Sequence, residues 1–183
     1  MLIAALHGTA RLRRAQAGFT LAELMLALGI SAILVAIAVP SMRSFIENSR
    51  IRASSESIQN GLSLARNEAV RRNQRIEFVA LSTGWVVRLP GTTTPIQEAS
   101  GREGRGGLTL TFTPGDADRI TFDAFGRQTA NADGSPAITQ VDIASSNPPS
   151  SGIYRPLRLQ VLATGSARLC NPAVSAGNPA VCL

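Results

Sequence analysis

Hydrophobic and polar positions change their period twice along this chain. From Phe19 to Val39 almost every side chain is apolar, and Glu23 is the one strongly polar exception. At ~1.5 Å rise per residue this segment predicts a helix of roughly 30 Å, about the thickness of a bilayer core. Beyond Pro40 the apolar positions thin to a helical spacing: Phe45, Ile58, Leu62, Ala65 and Ala69 fall on three- and four-residue intervals. Ile58, Leu62, Ala65 and Ala69 form one stripe able to cover a sheet, while Arg50, Arg52, Glu56, Arg66, Arg71 and Arg72 lie mostly off it. Asn60-Gly61 weakens this pattern by ~1 kcal/mol and is expected to mark a bend. The helix is expected to end near Asn73, giving a rod of roughly 80 Å.

After Asn73 the period becomes two. Residues 75–81 and 84–89 predict a hairpin around Ser82-Thr83-Gly84. Residues 91–107, rich in Gly and Thr, are expected to be loop, as are residues 145–151. Residues 108–112, 119–122 and 137–143 predict strands, and residues 157–162 and 167–169 predict a closing hairpin. Asp123-Ala-Phe-Gly-Arg-Gln is a turn signal. A long helix followed only by short strands implies an α+β fold, with an antiparallel sheet system against the helix.

Charge orients the apolar segment. Arg11, Arg13 and Arg14 precede it with no acid among them, so the positive-inside rule keeps that end cytoplasmic and sends the chain after Pro40 across the membrane. A secretory signal has a shorter core followed by a small-x-small site, and Pro40-Ser41-Met42-Arg43 is a poor one. An uncleaved anchor is the plain alternative, but it leaves Glu23 unexplained. An acid at membrane depth costs ~2.5–3.5 kcal/mol and is usually paired and functional. Cleavage between Gly18 and Phe19 would create an α-amine, and that amine on a neighbouring copy could pair with Glu23 in a helix bundle and set its register. The competing reading has Glu23 at the interface, snorkelling to water without a partner.

Gly18-Phe19-Thr20-Leu21-Ala22-Glu23, followed by Leu-Met-Leu-Ala-Leu-Gly-Ile, resembles the class III signal of type IV pilins and pseudopilins. The resemblance implies cleavage after Gly18 by a prepilin peptidase, N-methylation of Phe19, and a filament-assembly role for Glu23. It also implies partners in the form of other pilins or pseudopilins, joined through the N-terminal helix, and residence in the inner membrane with a periplasmic C-terminal domain. Pro40 falls where many members kink their helix. Arg66-Asn-Glu-Ala-Val-Arg-Arg-Asn-Gln, Phe122-Asp-Ala-Phe-Gly-Arg and Gly165-Ser-Ala-Arg-Leu-Cys narrow the likeness to the FimT/GspH branch: minor pilins of type IV pili and the H-type pseudopilin of type II secretion. Four parts are expected: leader 1–18, transmembrane helix 19–40, amphipathic helix 41–73, and a β-rich periplasmic domain 74–183.

Composition sharpens this picture. All 18 basic residues are Arg, consistent with a GC-rich genome, and removing the three leader arginines lowers the net charge from +6 to +3. Such a chain has no polybasic nucleic-acid tail. Cys170 and Cys182, twelve positions apart in a chain bound for an oxidising space, are expected to form a disulfide. Closing so short a loop contributes on the order of 3 kcal/mol by chain entropy.

The chemistry of catalysis is missing. The one His, His7, lies in the leader, which excludes Ser-His and Cys-His catalysis in the mature chain. No G-x-x-x-x-G-K sequence occurs, and no enzyme activity or cofactor is expected. Asp116, Asp118 and Asp123 lack Ca²⁺-loop spacing and read as a solvated turn. One binding activity is raised by resemblance: some FimT-like pilins take up DNA through a Gly-Arg-x-Arg tail. Here the tail reads Gly165-Ser166-Ala167-Arg168, with one arginine of the pair replaced. Arg168, with Arg155 and Arg158 on the preceding strand and Arg102 and Arg105 in the loop, would supply phosphate contacts, which fall steeply with salt. The sequence thus reads as a minor type IV pilin, with an H-type pseudopilin and a DNA-receptor pilin as alternatives.

Overall fold

The computed structural model describes residues 18–82, 84–100, 107–148 and 153–182. One helix, α1 (Leu21–Arg72), contributes to two compact units, the first ending at Ala38 and the second spanning Val39–Leu183.

In the first unit every described side chain is exposed, and the best 18-residue window of α1 has a mean hydropathy of 2.4. By length and composition this helix can cross a membrane. Ser31, the one hydroxyl within the apolar stretch of α1, donates to the Ala27 carbonyl (2.8 Å), so its O–H is satisfied within the helix.

In the second unit α1 buries Ile51, Ile58, Leu62, Ala65 and Ala69, the stripe expected from the spacing extended one step back to Ile51. Phe45, on the same intervals in the sequence, is instead 68 % exposed. The helix stops in a Schellman arrangement. Asn73 adopts a left-handed conformation (φ 51°), its N–H donates to the Val70 carbonyl (3.3 Å), and Gln74 N–H donates to the Ala69 carbonyl (3.2 Å). Asn is the non-glycine residue that tolerates this conformation best.

Nine strands follow: β1 (Ile76–Leu81), β2 (Gly84–Arg88), β3 (Pro95–Ser100), β4 (Leu108–Thr113), β5 (Arg119–Phe122), β6 (Gln128–Thr129), β7 (Gln140–Ser145), β8 (Leu157–Val161) and β9 (Ala167–Cys170). They form two antiparallel sheets, ordered β3-β2-β1-β5-β6 and β4-β7-β8-β9. Residues 137–139 join them: Ile138 N–H donates to Arg119, Thr139 N–H to Thr113, and Val161 N–H to Thr139, all through backbone carbonyls. The core is shared by the helix stripe and by Phe78, Trp85, Ile120, Phe122, Val141, Ile143 and Leu159.

Several expectations are corrected. Residues 91–107, expected as loop, contain strand β3, which pairs with β2. Its polar run hides a strand because β3 is a sheet edge, where Pro95 at its start loses no ladder bond. The short β6 was not anticipated. The strand expected at 137–143 begins at Gln140, and Ala137 makes only an isolated bridge to Arg119. Arg155 precedes β8 rather than lying on it. The helix also runs unbroken through Gly61, where no bend occurs. A Cβ at Gly61 would lie 2.7 Å from Phe78 Cε2 and 2.8 Å from two ring carbons of Trp85, so this glycine makes room for aromatics from β1 and β2.

Candidate processing and assembly site

At the head of α1, Gly18 and Phe19 are exposed, and nothing lies within 4 Å of a Cβ built on Gly18. Thr20 and Glu23 form a reciprocal cap. Glu23 N–H donates to Thr20 Oγ1 (3.2 Å), while Thr20 N–H and O–H both donate to Glu23 Oε2 (2.9 Å each). This capping box satisfies donors that a helix start otherwise leaves orphaned. It also sets the carboxylate at the positive end of the helix dipole, which offsets part of the cost of an acid at membrane depth. Both bonds fall on Oε2, and Oε1 has no partner among the described residues. Thr20 was not singled out from the sequence, although Thr-x-x-Glu before an apolar run was the signal for it.

Of the five arginines raised for DNA contact, three lie among the described residues. Arg102 and Arg105 lie outside the described residues. Arg158 sits opposite Asp142 in the β7–β8 register and is bound to both of its carboxylate oxygens (2.6 and 3.2 Å). Arg155 holds its main chain to α1, its N–H donating to Asn48 Oδ1 (2.9 Å), and its guanidinium forms no ion pair among the described residues. Arg168 lies on β9 opposite Gln160, on the same sheet face as Arg158.

Gly165, the head of the Gly165-Ser166-Ala167-Arg168 turn, has a structural duty. Its φ is +80°, and a Cβ would land on the carbonyl oxygen of Gly126. That carbonyl also accepts from Arg66 Nε on α1 (2.9 Å). The β8–β9 turn, the Asp123–Arg127 turn and the helix are thereby locked together. Cys170 and Cys182 are bonded, with Sγ–Sγ 2.03 Å and Cα–Cα 5.1 Å, which ties the tail back to the end of β9.

Two of the three aspartates raised above, Asp118 and Asp123, are occupied by neighbours. Asp118 accepts from Arg119 Nε and Nη2 (2.7 and 3.0 Å), and the guanidinium holds its carboxyl below the usual range. Arg119 also reaches Asp133 (2.8 Å), and its own proton is held more tightly through Asp118. Asp123 caps its turn by accepting from the N–H groups of Arg127 and Phe125 (2.9 Å each), which lowers its pKa. These groups hold a turn, and no cluster able to bind a metal occurs among the described residues.

Residues 13–39 match the Prokaryotic N-terminal methylation motif, and residues 54–173 match the family described as Type II transport protein GspH. Comparison with curated proteins finds no match. Among solved structures, the type IV minor pilin FimU of Pseudomonas aeruginosa in space group P21 is 19 % identical, with a TM-score of 0.52 over 68 % of this chain and 91 % of FimU. The same protein in space group P65 gives 18 % identity and a TM-score of 0.47, over 64 % and 90 % respectively. At these identities the structural likeness speaks to the fold: a long N-terminal helix on antiparallel sheets. The methylation motif implies processing by prepilin peptidase and is consistent with inner-membrane anchoring before assembly, and the family match implies assembly with other pilins, as a structural protein and not an enzyme. The GspH match alone spans well over half of the sequence, and the chain therefore belongs to the GspH family of type IV pilins and pseudopilins.

Proposed function

We propose that this chain is a FimT-like minor pilin, cut between Gly18 and Phe19, methylated on Phe19 and built into a type IV pilus to support its assembly. The observation that carries this is the junction itself: an open Gly18–Phe19 bond followed by the Thr20–Glu23 cap. In this reading residues 1–18 are the leader, 19–40 the transmembrane helix, 41–73 the amphipathic helix and 74–183 the periplasmic domain. The Glu23 carboxylate, whose Oε1 has no partner among the described residues, in this reading receives the α-amine of a neighbouring subunit. Mass spectrometry of the N-terminus, on protein taken from its own membrane, tests the proposal. A start at methylated Phe19 is expected; an intact leader in a peptidase-positive cell would overturn it in favour of a plain anchor. Glu23→Ala is expected to abolish incorporation into pili, and unchanged incorporation would remove the assembly role.

The family match keeps the H-type pseudopilin of type II secretion as the second reading. The disulfide-closed tail and the Gly165-Ser166-Ala167-Arg168 turn favour the pilus. Deleting the gene should then cost piliation while leaving secretion intact. DNA uptake would rest on Arg168, since Arg158 on the same sheet face is already paired with Asp142. Binding that weakens with added salt and with Arg168→Ala would support it.

A further inference from the structure

Beside α1 lies an open groove of about 810 Å³, unconnected with the processing junction. One wall is the helix from Ser44 to Arg52, a second is the segment from Ile153 to Leu157, and the third is the disulfide-tied tail around Leu169 and Ala180. Its apolar surface comes from Phe45, Ile153, Leu157 and Leu169, and the first two are 68 % and 65 % exposed. Together these two side chains give the groove an exposed apolar face. The groove is held in shape by Asn48, whose amide donates to the Ile153 carbonyl (2.6 Å) and accepts from Arg155 N–H.

The charges on this groove have one sign. Arg52 and Arg155 line it, and no acid does among the described residues. Among the described residues Arg52 is tied to Glu56, in an exposed pair (2.9 Å) of the weak kind. Arg43, also exposed, stands one residue before the helical wall begins. In the sequence the wall starts four residues beyond Pro40, the end of the expected span. Apolar walls, a cationic mouth and a place in the sequence just after the expected span suit one class of molecule.

We propose that this groove holds an acyl chain of an anionic phospholipid, with the phosphate on Arg52 and Arg155. The proposal rests on the membrane-anchored reading above, with the domain on the far side of the inner membrane. A bound lipid would cover Phe45 and Ile153 while the subunit waits in the membrane. Each arginine near an anionic headgroup contributes about a fivefold preference over a zwitterionic one.

The test uses the full chain with benzoylphenylalanine in place of Ile153, reconstituted in bilayers of equal parts phosphatidylglycerol and phosphatidylcholine and irradiated. Adducts to phosphatidylglycerol are expected to exceed those to phosphatidylcholine by fivefold or more. The Arg52→Gln, Arg155→Gln double variant is expected to bring the two yields level while keeping its circular dichroism and thermal midpoint. Equal yields in the parent chain would overturn the proposal. So would crosslinks to a second copy alone, which would make the groove a surface between subunits. A chain that resists carbonate extraction but gives no lipid adduct would overturn the groove and leave the anchor standing, whereas a chain released by carbonate would overturn both.

Discussion

Gly61→Ala inverts an ordinary rule and so tests the packing of α1 directly. In a helix interior this exchange normally stabilises by ~1 kcal/mol, because Ala loses less conformational freedom on folding. Here the new methyl would sit 2.7 Å from Phe78 Cε2 and 2.8 Å from Trp85 Cδ2 and Cε2, against ordinary contacts of about 3.5–4.0 Å. Neither ring yields easily. Phe78 is fully buried, and Trp85 packs against it at 5.9 Å between centroids while donating from Nε1 to Ser57 Oγ (3.1 Å). Overpacking of this kind costs ~1–3 kcal/mol. Contacts this short belong to the upper part of that range, ~2–3 kcal/mol, so after the propensity gain of ~1 kcal/mol a net loss of ~1–2 kcal/mol is expected, or roughly 2–8 °C in Tm for a unit of this size. Urea titration followed by Trp85, the single tryptophan, reads the site itself, and far-UV circular dichroism reads the whole unit. Ser63→Ala, on the exposed side of the same helix, serves as the control and should stay within about 0.5 kcal/mol of the parent. If Gly61→Ala matched or exceeded the parent in stability, the aromatic clamp on the helix would be wrong.

Other consequences follow from the same contacts. Arg88→Ala should cost ~3–5 kcal/mol, because it strips the partner (2.6 Å) from Glu77, whose side chain is only 2 % exposed; a midpoint shift no larger than that of a surface control would show that the pair is not needed. Cys170→Ser should cost about 3 kcal/mol through the loop it opens, and free reaction of both thiols in the native protein would show that the bridge is not formed there. Asp118, Asp123 and Asp133 all have depressed pKa values, through Arg119, through the Arg127 and Phe125 N–H groups, and through Ser135 respectively. In acid the unfolded chain therefore binds more protons than the folded one. The stabilisation is complete above the ordinary aspartate range and is lost as pH falls through the lowered values. The urea midpoint should hold from neutral pH to about pH 5 and drop by about pH 3. A midpoint unchanged over that interval would contradict the assigned hydrogen bonds.

What the amino-acid order determined by itself is local or periodic. The Gly18–Phe19 junction, the lone Glu23 and the apolar length are contiguous, so composition along one segment suffices to expose them. The Thr20–Glu23 cap was equally local, three residues apart, and was open to the same reading. The stripe from Ile58 to Ala69 was legible because helix geometry converts spacing into a face. Tertiary structure alone decided whatever depends on a partner distant in sequence. Strand β3 exists because β2 offers it a ladder, and nothing in its own polar residues asks for one. Glu77 reads as the outward residue of an alternating strand, yet it is buried because the β1–β2 register sets Arg88 opposite it. The same holds for Arg158, whose charge looked available until β7 brought Asp142 against it. Gly61 and Gly165 look like a bend and a binding-turn residue in one dimension. In three dimensions each is the absence of a side chain where another segment passes, Phe78 and Trp85 in one case and the Gly126 carbonyl in the other. Room for a neighbour is a property of two chain segments at once, and no window on either one contains it.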